Sequence, residues 1–157
     1  MVAKAPWVLL AYRIPREPST PRIAVWRRLR QLGAVQLGDG LAALPLDDRT
    51  REHFDWLAQF VEDASGEASV WVAEPTTARQ HRELTGRMRS AVAADYRKVI
   101  EAAESVSSAD AVRRRRTVLR LRRTLARIGA RDFFTPPERR RAERAVADLA
   151  ALAEAPR

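Results

Sequence analysis

The sequence predicts an α+β fold, in which a small antiparallel sheet with two helices precedes a purely helical second half. Three observations indicate this. The run WVLLAY at residues 7–12 is continuously apolar, as is typical of a strand covered on both faces. Short strand-type segments then alternate with segments of helical spacing up to residue 73. From residue 75 onward, the apolar residues recur at helical spacing.

The first predicted helix follows the chain-breaking segment PREPSTPR. Ser19 or Thr20 is a suitable N-cap, and Pro21 suits the first turn. Gly33 is a natural C-terminal stop. Apolar residues at helical spacing form one predicted face, and the arginines lie largely off it. These residues are Ile23, Val25, Trp26, Leu29 and Leu32.

The next segments complete a mixed pattern. AVQL and LAAL are two short strands around GDG, whose residues tolerate the positive φ of a tight hairpin. Asp47 or Asp48 caps a second helix, Gly66 follows it, and ASVWVA at residues 68–73 is the last strand. The apolar stripe of that helix is Phe54, Leu57, Ala58 and Val61. This order, βαββαβ, is the ferredoxin-like pattern, with the first strand central in the sheet and both helices on one face.

Three further helices are predicted. The first covers residues 77–106, and Ser107, Ser108 or Asp110 caps the second, which closes at Gly129. Thr135 caps the third. Their inward residues are Leu84, Met88, Val92, Val99 and Ala103, then Val118, Leu121, Leu125 and Ile128, then Ala142, Val146, Leu149 and Leu152. We expect a single domain over residues 1–157, with a ferredoxin-like core at 7–74 and a helical extension at 75–157 packed on it.

Composition excludes several classes of function. The chain of 157 residues has no cysteine, and its two histidines, His53 and His81, share no metal-ligand spacing, so we expect neither a metal nor a cofactor. No stretch approaches the length of a membrane span and no leader with a cleavage site is present, so we expect a cytoplasmic protein. Two-metal nuclease chemistry needs clustered carboxylates. After the first strand stands Arg13, and the nearest acid, Glu17, is alone, so we expect no catalytic residue and no enzyme.

The most charged segment, RRRRTVLRLRRTLARIGAR at residues 113–131, holds nine arginines and no acid in a chain of net charge +9. Five of these arginines step by three and four along one side of a helix, roughly 140° from its apolar stripe. They are Arg113, Arg116, Arg120, Arg123 and Arg127. Arginine forks bind phosphate oxygens in pairs, so this side is a candidate nucleic-acid-binding surface. The alternatives are a solvated face, partly neutralised by the acidic second helix, and an RNA or membrane-surface partner.

A second basic group lies near the start of the first helix. Arg13, Arg16 and Arg22 form a candidate oxyanion site, since the helix dipole there favours an anion such as chromate, sulfate or phosphate. The alternative is that they are ordinary loop arginines. Trp26 and Trp56 occupy helical positions at which we expect core packing rather than base stacking.

Several motifs resemble a known family. The segment WVLLAYRIPREPSTPRIAVWRRLRQLGAVQLGDGLAALP, and the later ADYRKVIEAAE and RDFFTPPERRRAERAVADL, resemble the N-terminal domain of ChrB, the chromate-resistance regulator. The first block is also similar to the middle domain of PaaX-type repressors, which in turn looks like the small subunit of CRISPR adaptation complexes. The resemblance implies transcription regulation, promoter DNA as partner and chromate as effector. It also implies a structural role for the DFF motif, in which Asp132 bonds backbone amides or an arginine.

We therefore expect a DNA-associated regulatory or accessory protein linked to chromate resistance. Binding through phosphates is expected, because no element has the polar side chains of a recognition helix. The first alternative is a protein–protein interaction module that uses two poles of opposite charge, the acidic segment 47–74 and the basic segments 4–30 and 113 onward. The least favoured alternative is a metal-dependent nuclease. A homodimer is expected, since WVLLAY needs cover on both sheet faces and ferredoxin-like relatives pair through such surfaces.

Overall fold

A computed structural model describes residues 6–155 and contains one four-stranded sheet and five helices in that range. The α+β prediction and the ferredoxin-like order are confirmed. Two compact units are present, the sheet unit up to Arg87 and the helical unit from Met88 onward. The one-domain organisation stays a prediction. The elements are β1 (Trp7–Arg13), α1 (Ser19–Leu32), β2 (Val35–Gly38), β3 (Leu41–Pro45), α2 (Asp48–Asp63), β4 (Glu67–Ala73), α3 (Ala78–Glu104), α4 (Ala111–Ala130) and α5 (Glu138–Glu154).

The sheet has the strand order β2-β3-β1-β4, and each neighbouring pair is antiparallel. The central strand, β1, pairs with both β3 and β4, so that Leu9 lies opposite Ala43 on one side and Trp71 on the other. The hairpin between β2 and β3 turns at Asp39 and Gly40. Within GDG, only Gly40 has positive φ (72°), and a Cβ there would overlap the carbonyl oxygen of Tyr12. Glycine is required at this turn for both reasons.

The two helices of the sheet unit begin and end close to the predicted positions, but Pro18 rather than Ser19 or Thr20 is the N-cap of α1. The side chain of Asp47 accepts a hydrogen bond from the backbone N–H of Thr50, and the Thr50 hydroxyl accepts one from the backbone N–H of Asp47, which forms a capping box at α2. Helix α1 ends at Gly33, whose φ is 75°. The inward residues of α1 are Val25 and Leu29, and those of α2 are Phe54, Leu57 and Val61.

The expectation that Trp26 and Trp56 pack in the core is wrong. Trp26 is 53% exposed and Trp56 is 60% exposed. Ile23, which was expected on the same face, is exposed as well. Trp26 directly follows the buried Val25. Successive residues on a helix are rotated by about 100°, so Trp26 points away from the narrow buried side of α1.

The second face of the sheet is partly covered within the sheet unit by the first turns of α3. Trp7 is buried there, and its indole N–H donates to Nδ1 of His81 at 3.2 Å. A groove of about 440 Å³ remains between sheet and helix, with Leu9, Leu37 and Leu84 among its lining residues. The prediction that both faces of β1 are covered therefore holds at Trp7, which is buried, and only in part at Leu9, which is half-buried.

In the helical unit, α3, α4 and α5 enclose one apolar core, to which Tyr96, Leu121, Ile128 and Val146 contribute. Three boundary details differ from the sequence prediction. Helix α4 continues through Gly129 to Ala130. Helix α5 begins at Glu138 and Thr135 is not its cap, because the backbone N–H of Thr135 is held instead by Asp132. Leu152 is exposed and Ala153 is buried, because positions 142, 146, 149 and 153 lie along one side of a helix.

No helix in residues 6–155 is long and apolar enough to cross a membrane.

Candidate nucleic-acid interface

Helix α4 has one buried side and one arginine side. Its N-cap is Asp110, whose carboxylate accepts a hydrogen bond from the backbone N–H of Arg113 at 2.8 Å, as predicted. Thr117, Val118, Leu121 and Ile128 are buried. Five exposed arginines lie on the far side, and we call them the arginine row: Arg113, Arg116, Arg120, Arg123 and Arg127. The structure therefore places all five candidate residues on one exposed surface of one helix.

No ion pair within the described part of the helical unit involves the arginine row. Two acids of the same unit are paired with other cations, since Asp95 pairs with Arg131 at 2.7 Å and Glu138 pairs with Arg97 at 3.3 Å. The predicted pairing of the row with the acidic α2 stays a prediction. The row is a local excess of five positive charges at an exposed surface.

The four consecutive arginines that begin the charged segment do not act together. Arg114 turns back toward the preceding loop, where its Nη1 donates to the carbonyl oxygens of Ala109 and, at 3.4 Å, Ser107. Its Nε is buried without a hydrogen-bond partner. Arg113 and Arg116 belong to the row, so the run RRRR is divided between loop packing and the exposed surface. Helical periodicity predicts that Arg114 points to a different side of α4 from Arg113 and Arg116, but it does not show which carbonyl groups Arg114 contacts.

A groove of about 500 Å³ lies beside the first half of the arginine row. Arg113, Arg116 and Arg120 line it together with Thr117 and Asp110. The hydrogen bond from the Arg113 backbone N–H lowers the pKa of Asp110, which therefore remains a carboxylate at neutral pH. An anion that enters this groove meets three guanidinium groups along α4 and one repelling carboxylate at its N-terminus.

The DFF motif holds the junction between α4 and α5. The Asp132 side chain is 1% exposed, and Oδ1 accepts from the backbone N–H groups of Phe134 and Thr135 at 3.3 and 2.8 Å. Oδ2 accepts from the Tyr96 hydroxyl at 2.9 Å and pairs with Arg139 at 3.5 Å. Both predicted roles of Asp132 are thus confirmed. Tyr96, which sequence reasoning missed, loses water here, and burial together with this hydrogen bond raises its pKa to about 12.

The candidate oxyanion residues lie on three different segments. Arg13 ends β1 and stands opposite Glu67 of β4, Arg16 lies in the following loop, and Arg22 lies in α1. The facing carboxylate of Glu67 weakens attraction of an anion to Arg13. The oxyanion site stays a prediction. Within residues 6–155, no group of three or more His, Cys, Asp or Glu side chains could hold a metal ion.

The fold and the candidate site define a basic α+β protein, with a ferredoxin-like sheet unit and a helical unit that presents the arginine row. The family described as "Protein ChrB, N-terminal" matches residues 22–155, so the chain belongs to the ChrB N-terminal family, as its motifs predicted. The chain is also 31% identical over 141 residues to "Protein ChrB" of Cupriavidus metallidurans. That alignment covers 87% of this chain and 43% of the relative, so this chain spans less than half of that protein's length. No solved structure matches.

Proposed function

We propose that this protein binds duplex DNA through the phosphate backbone, that the arginine row is the contact surface, and that the protein is not an enzyme. The observation that supports the proposal is the set of five exposed guanidinium groups on one side of α4, none of which forms an ion pair with a carboxylate among the described residues of the helical unit. Guanidinium groups bind phosphate oxygens through two parallel hydrogen bonds, and phosphate contacts supply most of the affinity of non-specific DNA binding.

The dimensions of the row suit a DNA strand. Arg113 and Arg127 are 14 positions apart, which is about 21 Å at 1.5 Å of helix rise per residue. One strand of a duplex carries a phosphate about every 3.4 Å of helix axis, so the row extends along roughly six phosphates. Intervals of three and four residues place successive guanidinium groups about 4.5 to 6 Å apart along the axis.

Binding by this surface is expected to depend little on base sequence. Helix α4 has no Asn and no Gln, the side chains that read adenine in the major groove. Its row consists of one residue type, and phosphate contacts position a protein on DNA without specifying bases. Another part of the complex would have to select a promoter.

Family membership supports the biological role that we propose. The resemblance to ChrB supports a regulatory or accessory role in chromate resistance, with the DNA contact made by this domain. We also include self-association in the proposal, since dimeric proteins place two DNA-binding surfaces on one duplex.

The test compares two variants that remove the same charge. In the first, Arg116, Arg120, Arg123 and Arg127 are changed to Ala. In the second, four exposed arginines outside the row are changed to Ala, namely Arg89, Arg140, Arg141 and Arg144. Fluorescence anisotropy with several unrelated duplexes should show a loss on the order of a hundredfold for the first variant at low salt, about equal for all duplexes.

The control separates a local surface from a general effect of net charge. A surface located on α4 predicts a much smaller loss for the control variant. Equal losses in both variants would contradict the assignment to the row and indicate attraction by net charge alone. Parent-like affinity in the first variant would contradict DNA binding by α4 altogether.

A further inference from the structure

The helix layer of the sheet unit exposes large aromatic side chains. Trp26 of α1 and Trp56 of α2 each leave more than half of their surface in solvent. Phe60 stacks on Trp56 with ring centroids 5.8 Å apart, and the guanidinium group of Arg30 lies 4.8 Å from the centroid of Trp26. Tryptophan and tyrosine are enriched at the centres of protein interfaces, where burial of the ring contributes much of the binding energy.

The two helices carry opposite charges around these aromatic residues. On α1, positions 23, 26, 27 and 30 form one outward stripe, which holds Ile23, Trp26, Arg27 and Arg30. On α2, positions 52, 56, 60 and 63 form another, which holds Glu52, Trp56, Phe60 and Asp63. Helix α1 contains four arginines and no acid, whereas α2 contains five acidic residues and two arginines.

The two stripes belong to one layer. Nη2 of Arg28 in α1 lies 3.3 Å from Nδ1 of His53 in α2, so the helices are neighbours. Helix α1 connects β1 to β2, and α2 connects β3 to β4; the two strands of each pair are parallel. Because β1 and β3 are antiparallel neighbours, the two helices run back along the sheet in opposite directions. The helices are therefore antiparallel, and a basic aromatic stripe lies beside an acidic aromatic stripe.

We propose that this helix layer binds a second copy of the chain, with α1 of each copy against α2 of the other. A two-fold axis parallel to the helices and midway between them produces this arrangement. Each copy then contributes one basic and one acidic stripe, and every contact occurs twice, as in an isologous dimer. Because a two-fold axis parallel to the helices keeps each residue at its own height, the level set by Arg28 and His53 also holds across the axis. Trp26 then approaches the Trp56 region of the partner, while Arg27 and Arg30 face the first half of α2, where Glu52 and Asp55 are exposed.

Charge complementarity selects a second copy over other occupants. A nucleic acid or an anionic membrane would be attracted by α1 and repelled by the adjacent α2. The layer is complementary to itself, which satisfies both stripes at once. The inference rests on the self-association included in the proposed function and does not depend on DNA binding by α4.

The size of the layer predicts a modest affinity. The helices have 14 and 16 residues, or about 21 and 24 Å at 1.5 Å per residue, and each is about 10 Å wide. That footprint is at or below the roughly 800 Å² per partner of a standard interface. We therefore expect a micromolar dimer that weakens as salt is raised, because charges contribute to the contact.

Charge exchange between the two helices tests the proposal. One variant carries Arg27→Glu and Arg30→Glu, and the other carries Glu52→Arg and Asp55→Arg, at exposed positions of α2 that are level with the two arginines. Each alone places like charges across the two-fold axis and should weaken self-association by at least about tenfold in sedimentation of nucleic-acid-free protein. An equimolar mixture should recover dimer to near the parent level, because each acidic α1 then meets a basic α2.

The outcomes separate the surface from dimerisation and from DNA binding. A dimer with a micromolar dissociation constant should be well populated at a protein concentration of roughly 100 µM. A parent chain that is monomeric at that concentration would therefore contradict both the proposed dimer surface and self-association. Variants that dimerise like the parent would overturn the surface alone. If a charge-reversed chain does not fold, the variant with Arg27→Ala and Arg30→Ala removes the same attraction, and alanine is a good helix former. Dimerisation of that variant at the parent level would also overturn the proposal. Duplex affinity of the α4 variants reports DNA binding independently.

Discussion

Changing Asp132 to Ala should destabilise the protein more than any single change in the arginine row. The carboxylate is buried and accepts hydrogen bonds from the Tyr96 hydroxyl and from the backbone N–H groups of Phe134 and Thr135, and it also pairs with Arg139. No other described carboxylate in the helical unit joins α3 to the α4–α5 junction through so many partners.

The magnitude follows from what is left unpaired. Removal of the carboxylate leaves the Tyr96 hydroxyl buried without a partner, which costs about 1–3 kcal/mol. The two amides add roughly 1 kcal/mol together, since Thr135 is exposed and water replaces part of its bond. Arg139 is partly exposed, so solvent compensates for most of the lost ion pair. We expect a total loss of about 3 kcal/mol.

Urea unfolding, followed by far-ultraviolet circular dichroism, measures this loss. Tyr96→Phe removes one bond and leaves the carboxylate its other partners, so it should cost only about 1 kcal/mol. In the double variant, the two losses should not add, and the coupling free energy should be about 1–2 kcal/mol. A loss below about 1 kcal/mol for Asp132→Ala, or strict additivity with Tyr96→Phe, would refute the role assigned to this carboxylate.

Three further predictions concern pH, catalysis and the charge of α4. The pKa of Tyr96 is about 12 in the folded protein and near 10 in the unfolded chain, so the unfolded chain releases this proton first as pH rises. The contribution of Tyr96 to the free energy of unfolding should therefore be complete below pH 10 and be lost as pH rises toward 12. Urea unfolding measured across this pH range should show the loss in the parent and not in Tyr96→Phe. Plasmid and single-stranded DNA incubated with Mg²⁺ or Mn²⁺ should remain uncut on gels, and cleavage abolished by Glu17→Ala would show otherwise. The variant with Arg116, Arg120, Arg123 and Arg127 changed to Ala should melt at the parent temperature or above it, because mutual repulsion is removed; a stability loss of up to about 1 kcal/mol per pair would instead indicate pairing with acidic side chains.

The order of elements was predictable because each element carries its own local signal. The capping residues Asp47 and Asp110, the stop at Gly33 and the positive φ of Gly40 are short-range features that sequence alone contains. The arginine row was predictable for the same reason, since intervals of three and four residues fix a side of a helix regardless of its neighbours.

What sequence did not predict depends on long-range packing. Trp26 and Trp56 are apolar and lie near buried positions, so periodicity placed them inward, whereas the width of the covered stripe is set by the sheet beneath the helices. Tyr96 was missed because its hydroxyl partner, Asp132, is 36 positions away in the chain. Arg114 looked equivalent to its neighbours, but the carbonyl groups of the loop before α4 hold it.

The salt dependence of duplex binding tests phosphate contact by the arginine row most directly. Five phosphate contacts predict a slope of about −4.5 for the logarithm of the association constant against the logarithm of salt concentration, at about 0.9 per contact. Changing Arg116, Arg120, Arg123 and Arg127 to Ala removes four contacts and should reduce the magnitude of that slope by about 3.6. A folded variant that binds duplex DNA with the parent's slope would contradict the account.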